Sequence, residues 1–157
     1  MFKNEEEFRG WLITQVERAV KERKLPLVVL ESKNVSDVIF CIENIHNPIA
    51  LFLELKYYTA NKNRVNIGNS TGGGFQPEIL QKKPLYFSKY LKWVLAHEDG
   101  YAFCLETNEV CNYISGGAIK IGHQNNIQKG IFNRDDLIDI GDLPEVLIEW
   151  VATFTTK

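Results

Sequence analysis

Three apolar runs with the length and composition of β-strands follow one another in the first third of the chain. They occupy residues 27–31, 37–43 and 49–58, are rich in Val, Ile, Leu and Phe, and are separated by short polar segments. Short connections join antiparallel neighbours, whereas parallel strands need a crossover of a dozen or more residues. The sequence therefore predicts a three-stranded antiparallel meander.

An amphipathic helix over residues 5–24 is predicted in front of this meander. Asn4, followed three residues later by Glu7, is a capping pattern for a helix N-terminus. The apolar positions recur at helical spacing and form one stripe: Phe8, Leu12, Val16 and Ala19. At about 100° per residue Glu5 falls on the same stripe, so we expect its carboxylate to face inward.

The elements expected after the meander alternate between helix and strand. In chain order they are a Gly-containing loop over 61–74, a helix that starts near Pro77 and continues over 84–97 after Pro84, a strand over 101–106, an irregular stretch or hairpin over 108–133, and a helix from Asp142, where Asp142 and Glu145 form a second capping pattern. The order α-β-β-β-α-β with a C-terminal hairpin and helix predicts a mixed α/β chain of the α+β type. No repeat or linker divides residues 1–157, which predicts a single domain.

Length and composition fit an ordinary globular protein. With 157 residues, 45% of them hydrophobic, the chain is large enough to bury a core without disulfides. Three cysteines without a CxxC pair indicate reduced thiols, and no run of 18 apolar residues occurs. We therefore expect a cytoplasmic protein that does not enter a membrane.

Positive charge is concentrated in the middle of the chain. Residues 54–92 contain seven basic and two acidic residues, although the whole chain has a net charge of −2. A basic segment on an acidic body is typical of a local phosphate-binding surface.

A carboxylate and an ammonium group end the third predicted strand, in the segment Leu-Phe-Leu-Glu-Leu-Lys. Glu54 and Lys56 share one face because side chains alternate along a strand. Asp37 begins the preceding strand, and antiparallel pairing brings the start of that strand beside the end of the third. We therefore expect Asp37 to lie next to Glu54.

Neighbouring carboxylates repel each other, and a hard divalent cation relieves this repulsion. Mg²⁺ binds one or two carboxylates together with water and substrate phosphates, and a nearby lysine stabilises developing charge. The residue types therefore suit phosphodiester hydrolysis. A simpler interpretation remains open, with Asp37 as a turn residue at a strand start and Glu54 with Lys56 as an exposed ion pair.

The pattern D-(x)16-E-x-K, spread over two strands after an N-terminal helix, resembles the signature of the PD-(D/E)XK nuclease superfamily. That superfamily includes many type II restriction endonucleases, junction resolvases and repair nucleases, and the resemblance covers about residues 5–106. It implies a restriction endonuclease-like αβββαβ core and a DNA endonuclease that depends on Mg²⁺, for which Mn²⁺ substitutes. Asp37 and Glu54 would bind the metal, Glu5 from the first helix would be a further ligand, and Lys56 would be the catalytic lysine. Ser36 stands where the motif has proline, which removes no ligand.

The same resemblance implies a catalytic role for Gln76, a polar residue at the start of the second helix, where it would orient the attacking water or bind the DNA backbone. Basic residues before and after the glycine-rich stretch 68–78 are candidates for binding DNA phosphates: Lys62, Arg64, Lys82 and Lys83. Nucleases of this size that cut both strands usually act as homodimers, so a homodimer is expected by analogy.

Three alternatives remain open. One is a catalytically silent domain of the same fold that binds nucleic acid or a partner protein. Another is a junction or repair nuclease of this fold. The third is an interaction protein whose acidic body contacts its partner.

Overall fold

The first helix begins and ends close to its predicted limits. The computed structural model describes residues 2–31, 36–43, 48–60, 65–68, 89–114, 116–117 and 125–155. Helix α1 spans Glu5–Arg23. The Asn4 side chain accepts a hydrogen bond of 2.8 Å from the N–H of Glu7, which confirms the predicted N-cap. The buried side of the helix carries Phe8, Leu12 and Val16, as its apolar spacing predicts.

Within the described ranges, six strands form one mixed sheet, and two more form a separate small sheet. In chain order the strands are β1 (Leu27–Glu31), β2 (Val38–Ile42), β3 (Ile49–Tyr58), β4 (Val65–Gly68), β5 (Leu91–His97), β6 (Tyr101–Glu106), β7 (Asn125–Ile127) and β8 (Ile138–Asp139). The large sheet has the order β1-β2-β3-β5-β6-β8, and β4 pairs with β7. Strands β1, β2 and β3 pair antiparallel in sequence order, which confirms the predicted meander.

Two further α-helices lie among the described residues, α2 (Thr107–Cys111) and α3 (Leu143–Ala152). Two 3₁₀ helices, η1 (Lys129–Asn133) and η2 (Ile140–Asp142), lie between α2 and α3. The chain is therefore mixed α and β, in agreement with the predicted α+β class. In the described ranges, no helix has the length and apolar content needed to cross a membrane.

The helix predicted over 84–97 is wrong from Leu91 onward. Lys89 and Tyr90 are helical, but Leu91–His97 is strand β5, which pairs in parallel with β3. Most of β5 is buried, on both faces of the sheet. A strand covered on both faces reads as a continuous apolar run, and hydrophobic periodicity does not distinguish such a run from a buried helix.

Two apolar clusters cover the opposite faces of the large sheet. Helices α1 and α3 pack on the first face, and elements that include β7, α2 and η1 contribute to the cluster on the second. Strand β3 contributes to both: Leu51, Leu53, Leu55 and Tyr57 face the first cluster, and Tyr58 faces the second, with Phe52 packed against it. Because β3 alternates in this way, Glu54 and Lys56 belong to the second face.

Several details of the less regular regions differ from expectation. Strand β4 lies inside the predicted loop 61–74. The predicted irregular stretch 108–133 contains most of α2, and it also contains β7 and η1. Ile114 forms an antiparallel bridge with Ile127, the described part of the predicted hairpin. Asp142 precedes α3 but its side chain makes no capping hydrogen bond, so the predicted capping pattern there is wrong. Glu145 instead forms an ion pair with Arg23 of α1.

Candidate active site

The candidate site lies where β3 continues past Val38, the first residue of its antiparallel partner β2. The register of these two strands runs from Ile42 opposite Ile49 to Val38 opposite Leu53, so residues 54–58 continue past it. Carboxylate side chains bind the N–H groups exposed on this side of β3. The N–H of Leu55 donates to Oδ2 of Asp37 at 2.7 Å, and the N–H of Tyr57 bonds to Glu5.

Asp37 reaches the backbone on both sides of Glu54. Its N–H donates to the Leu53 carbonyl at 3.1 Å, and its carboxylate accepts from Leu55. Leu53 is also the register partner of Val38, so two consecutive residues face one residue of β3, which is the residue count of a β-bulge. The structure thus brings Asp37 beside the Glu54 segment, as the sequence predicts, through a local irregularity that re-aims its side chain.

Glu54 and Lys56 lie in the C-terminal half of β3, past its pairing with β2. Glu54 is only 7% exposed, and Lys56 is half-buried. Their register partners on β5 are Trp93 and Leu95, both buried. The simpler interpretation expects an exposed ion pair, whereas here the carboxylate is buried and the ammonium is half-buried. Apolar surroundings raise the free energy of both charged groups unless other charges or hydrogen bonds compensate them.

Glu5, at the start of α1, is electrostatically coupled to the other site residues. Burial raises the pKa of its carboxyl above the ordinary value of 4.5, and the Asp37 charge raises it further. The Lys56 ammonium, the N–H of Tyr57 and Arg9 act in the opposite direction on the pKa of Glu5. Helix α1 therefore brings its inward-facing glutamate to Asp37 and Lys56, in agreement with the helical-wheel prediction.

Arg9 is a residue of this site that the sequence prediction missed. Its Nη1 lies 3.3 Å from Oδ1 of Asp37, and its Nε lies 3.3 Å from Oε1 of Glu31. The Arg9 side chain is 12% exposed, so the guanidinium is largely enclosed between the two carboxylates. Its position four residues after Glu5, on the same side of α1, is the signal that could have identified it.

The site thus brings the carboxylates of Asp37 and Glu5 together with the cationic side chains of Lys56 and Arg9, and the buried Glu54 lies on the same segment of β3. Carboxylate oxygens are the donors that Mg²⁺ prefers, so the chemistry of Asp37, Glu54 and Glu5 fits such an ion. In the part of the chain that the structure describes, however, no three His, Cys, Asp or Glu side chains are placed so that they could hold one ion together. Both oxygens of Asp37 are engaged, one by Arg9 and one by Leu55. A cation at this position would share or replace these contacts.

The other predicted site residues lie outside the described residues. They are Gln76, the candidate for orienting water, and the four candidates for DNA phosphate contacts, Lys62, Arg64, Lys82 and Lys83. Their predicted roles remain predictions.

No protein-family model, curated protein or solved structure matches this chain.

Proposed function

We propose that this chain is a Mg²⁺-dependent endonuclease that hydrolyses phosphodiester bonds of DNA, with a restriction endonuclease-like core. The observation that carries the proposal is the gathering of Asp37, Glu5 and Lys56 along the end of β3, at the segment that contains the buried Glu54. Residues far apart in sequence supply these groups, and such clusters of charge in partly buried positions are enriched at functional sites.

The order of the elements supports the proposed core. Helix α1, the antiparallel meander and a further strand parallel to β3 follow one another along the chain. A parallel partner requires a long crossover, usually one that contains a helix. The segment between Tyr58 and Leu91 is long enough, and Lys89 and Tyr90 at its end are helical.

Asp37 and Glu54 would hold Mg²⁺, with Glu5 as a third carboxylate. The bound ion would supply Lewis-acid activation of the scissile phosphate and of water. The Lys56 ammonium would stabilise negative charge that develops on the phosphate oxygens. Gln76 would orient the attacking water or bind the DNA backbone, and Lys62, Arg64, Lys82 and Lys83 would bind DNA phosphates.

Cleavage assays test this proposal directly. Supercoiled plasmid, single strands and a four-way junction would be incubated with wild type and Lys56→Ala, each with Mg²⁺, Mn²⁺ or EDTA. Lys21→Ala is a matched control, because Lys21 is an exposed lysine near the C-terminal end of α1, outside the basic segment 54–92. We expect metal-dependent cleavage by wild type and the control and a loss of at least about 100-fold in Lys56→Ala. Equal cleavage by both variants would contradict the role of Lys56.

A silent domain of the same fold is the second candidate, and the contacts of Asp37 favour it specifically. An aspartate whose oxygens already bind Arg9 and Leu55 is satisfied without a metal. This alternative predicts DNA or protein binding without cleavage by folded protein, under every metal condition. Cleavage of the junction alone would instead indicate a junction or repair nuclease. The homodimer expected of an enzyme that cuts both strands is checked by light scattering during size-exclusion chromatography.

A further inference from the structure

Arg9 lies between two carboxylates that differ in their surroundings. One partner is Asp37, whose side chain is 18% exposed and lies at the candidate site. The other is Glu31, at the end of edge strand β1, whose side chain is 49% exposed. The two contacts use different nitrogen atoms, Nη1 for Asp37 and Nε for Glu31. Arg9 can therefore give up one carboxylate and keep the other.

A divalent cation on Asp37 would change the electrostatics of the first contact. The guanidinium stabilises the Asp37 carboxylate when no cation is present, but it repels a cation that binds the same carboxylate. Charges a few ångströms apart in a partly buried site interact strongly enough to change an affinity by roughly ten-fold or more. The contact between Arg9 and Asp37 must then weaken as the metal binds.

We infer that Arg9 is a positioning residue with two partners: it holds both Asp37 and Glu31 in the metal-free protein and keeps only Glu31 when a divalent cation binds Asp37. This inference rests on the proposed metal site. In this arrangement Asp37 stays in place against Leu55 before the metal arrives, so the site is organised in advance. The Arg9 charge lowers the metal affinity, and Glu31 restores part of it by accepting the displaced guanidinium.

The inference predicts opposite effects for the two partners. Arg9→Gln removes the competing charge, so we expect Mn²⁺ to bind about ten-fold more tightly. Glu31→Gln removes the second partner and leaves Arg9 on Asp37, so binding weakens about three-fold. In the double variant the Glu31→Gln effect largely disappears, because no guanidinium remains to be displaced. A purely structural ion pair predicts weaker or unchanged binding for both single variants.

The experiment is isothermal titration calorimetry of MnCl₂ into the full chain, with wild type, Arg9→Gln, Glu31→Gln and the double variant. Arg23→Gln is the matched control: it removes the same charge from the same helix, at a residue that pairs with Glu145 about 21 Å along the helix from Arg9. We expect this control to bind as wild type does. Arg9→Lys keeps the charge and serves if Arg9→Gln is unstable. Because lysine offers one nitrogen atom in place of two, this variant is expected to bind Mn²⁺ more tightly than wild type and less tightly than Arg9→Gln.

Each outcome decides the inference. The opposite signs and the coupling support it, whereas binding that appears only in Arg9→Gln overturns it, because wild-type Arg9 would then exclude the cation. Wild-type binding that Arg9→Gln leaves unchanged or weakens overturns the inference and leaves the proposed metal site standing. No binding by any variant overturns both. If the variants bind Mn²⁺ as expected but wild type cleaves no DNA, the proposed nuclease activity is overturned and the inferred role of Arg9 is supported.

Discussion

Asp37 gives the sharpest test of how the site is held together. If its carboxylate served only to bind a cation, its removal from the metal-free protein would relieve repulsion with the neighbouring glutamates and stabilise the fold. The contacts predict the reverse. The Asp37 carboxylate binds the N–H of Leu55 at 2.7 Å and the guanidinium of Arg9 at 3.3 Å. We therefore expect Asp37→Ala to destabilise the protein in EDTA.

The size of the effect follows from these two contacts. A hydrogen bond to a charged group contributes about 1.5–3 kcal/mol, and its loss leaves the Leu55 N–H without its carboxylate partner. The partly buried ion pair with Arg9 adds about 1 kcal/mol. The free energy of unfolding should therefore fall by about 3 kcal/mol, which lowers Tm by about 6–12 °C in a domain of this length. Asp37→Asn keeps an acceptor for Leu55 and should cost about half as much.

Urea denaturation at pH 7 in EDTA, followed by far-ultraviolet circular dichroism, measures this difference. Asp135→Ala is the control, since Asp135 is an exposed aspartate near the C-terminal end of η1 and its loss should change stability by at most about 0.5 kcal/mol. An Asp37→Ala variant as stable as wild type, or more stable, would contradict a stabilising role for the contacts of Asp37 with Leu55 and Arg9. Repulsion between Asp37 and the Glu5 carboxylate would then outweigh the two contacts in the metal-free protein.

Three further predictions concern stability. Thr107→Val removes the hydroxyl that accepts the indole N–H of Trp93 at 3.1 Å in a buried position, so urea denaturation should show a loss of about 1–3 kcal/mol. Lys24, the C-cap residue of α1, has a φ of 53°, a left-handed conformation that glycine adopts at lower cost than lysine. Lys24→Gly should therefore raise the free energy of unfolding by roughly 0.5 kcal/mol, and a decrease would contradict this account. Burial raises the pKa of Glu5, so its contribution to stability is present below pH 4.5 and is lost as pH rises through the folded-state pKa. The free energy of unfolding of Glu5→Gln should equal that of wild type below pH 4.5 and exceed it above the folded-state pKa. Urea denaturation at several pH values checks this, and a difference that does not change with pH would contradict the prediction.

Local patterns were sufficient to predict α1 and the antiparallel meander. The stripe of α1 and the Asn4 cap are local signals, and the predicted limits of β1 and β3 match the structure. The β5 region failed because its neighbours β3 and β6 and the covering clusters come from distant parts of the chain. A window confined to Leu91–His97 contains no information about what covers its faces.

The candidate site was predictable where it follows from strand pairing and helical spacing. The positions of Asp37 and Glu5 relative to β3 follow from the meander and from the inward stripe of α1. Arg9 was missed because the prediction considered only acidic residues as ligands, although the fourth residue after Glu5 shares its side of the helix. The hydrogen bonds that hold Asp37 against Leu53 and Leu55 depend on backbone geometry, which the sequence does not display.

The burial of both faces of β5 also affects how its register is specified. In a strand with one wet face, a shift by one residue exposes apolar side chains to water, which excludes the wrong pairing. In β5 most residues could exchange faces at little hydrophobic cost. The polar contacts at the start of β5 distinguish the native register from a shifted one. A shift of β5 by one residue would carry Lys92 away from Glu106 and turn the Trp93 indole away from Thr107. These two side chains select one alignment among several of similar apolar burial, so a single-residue deletion in β5 is expected to misalign the centre of the sheet.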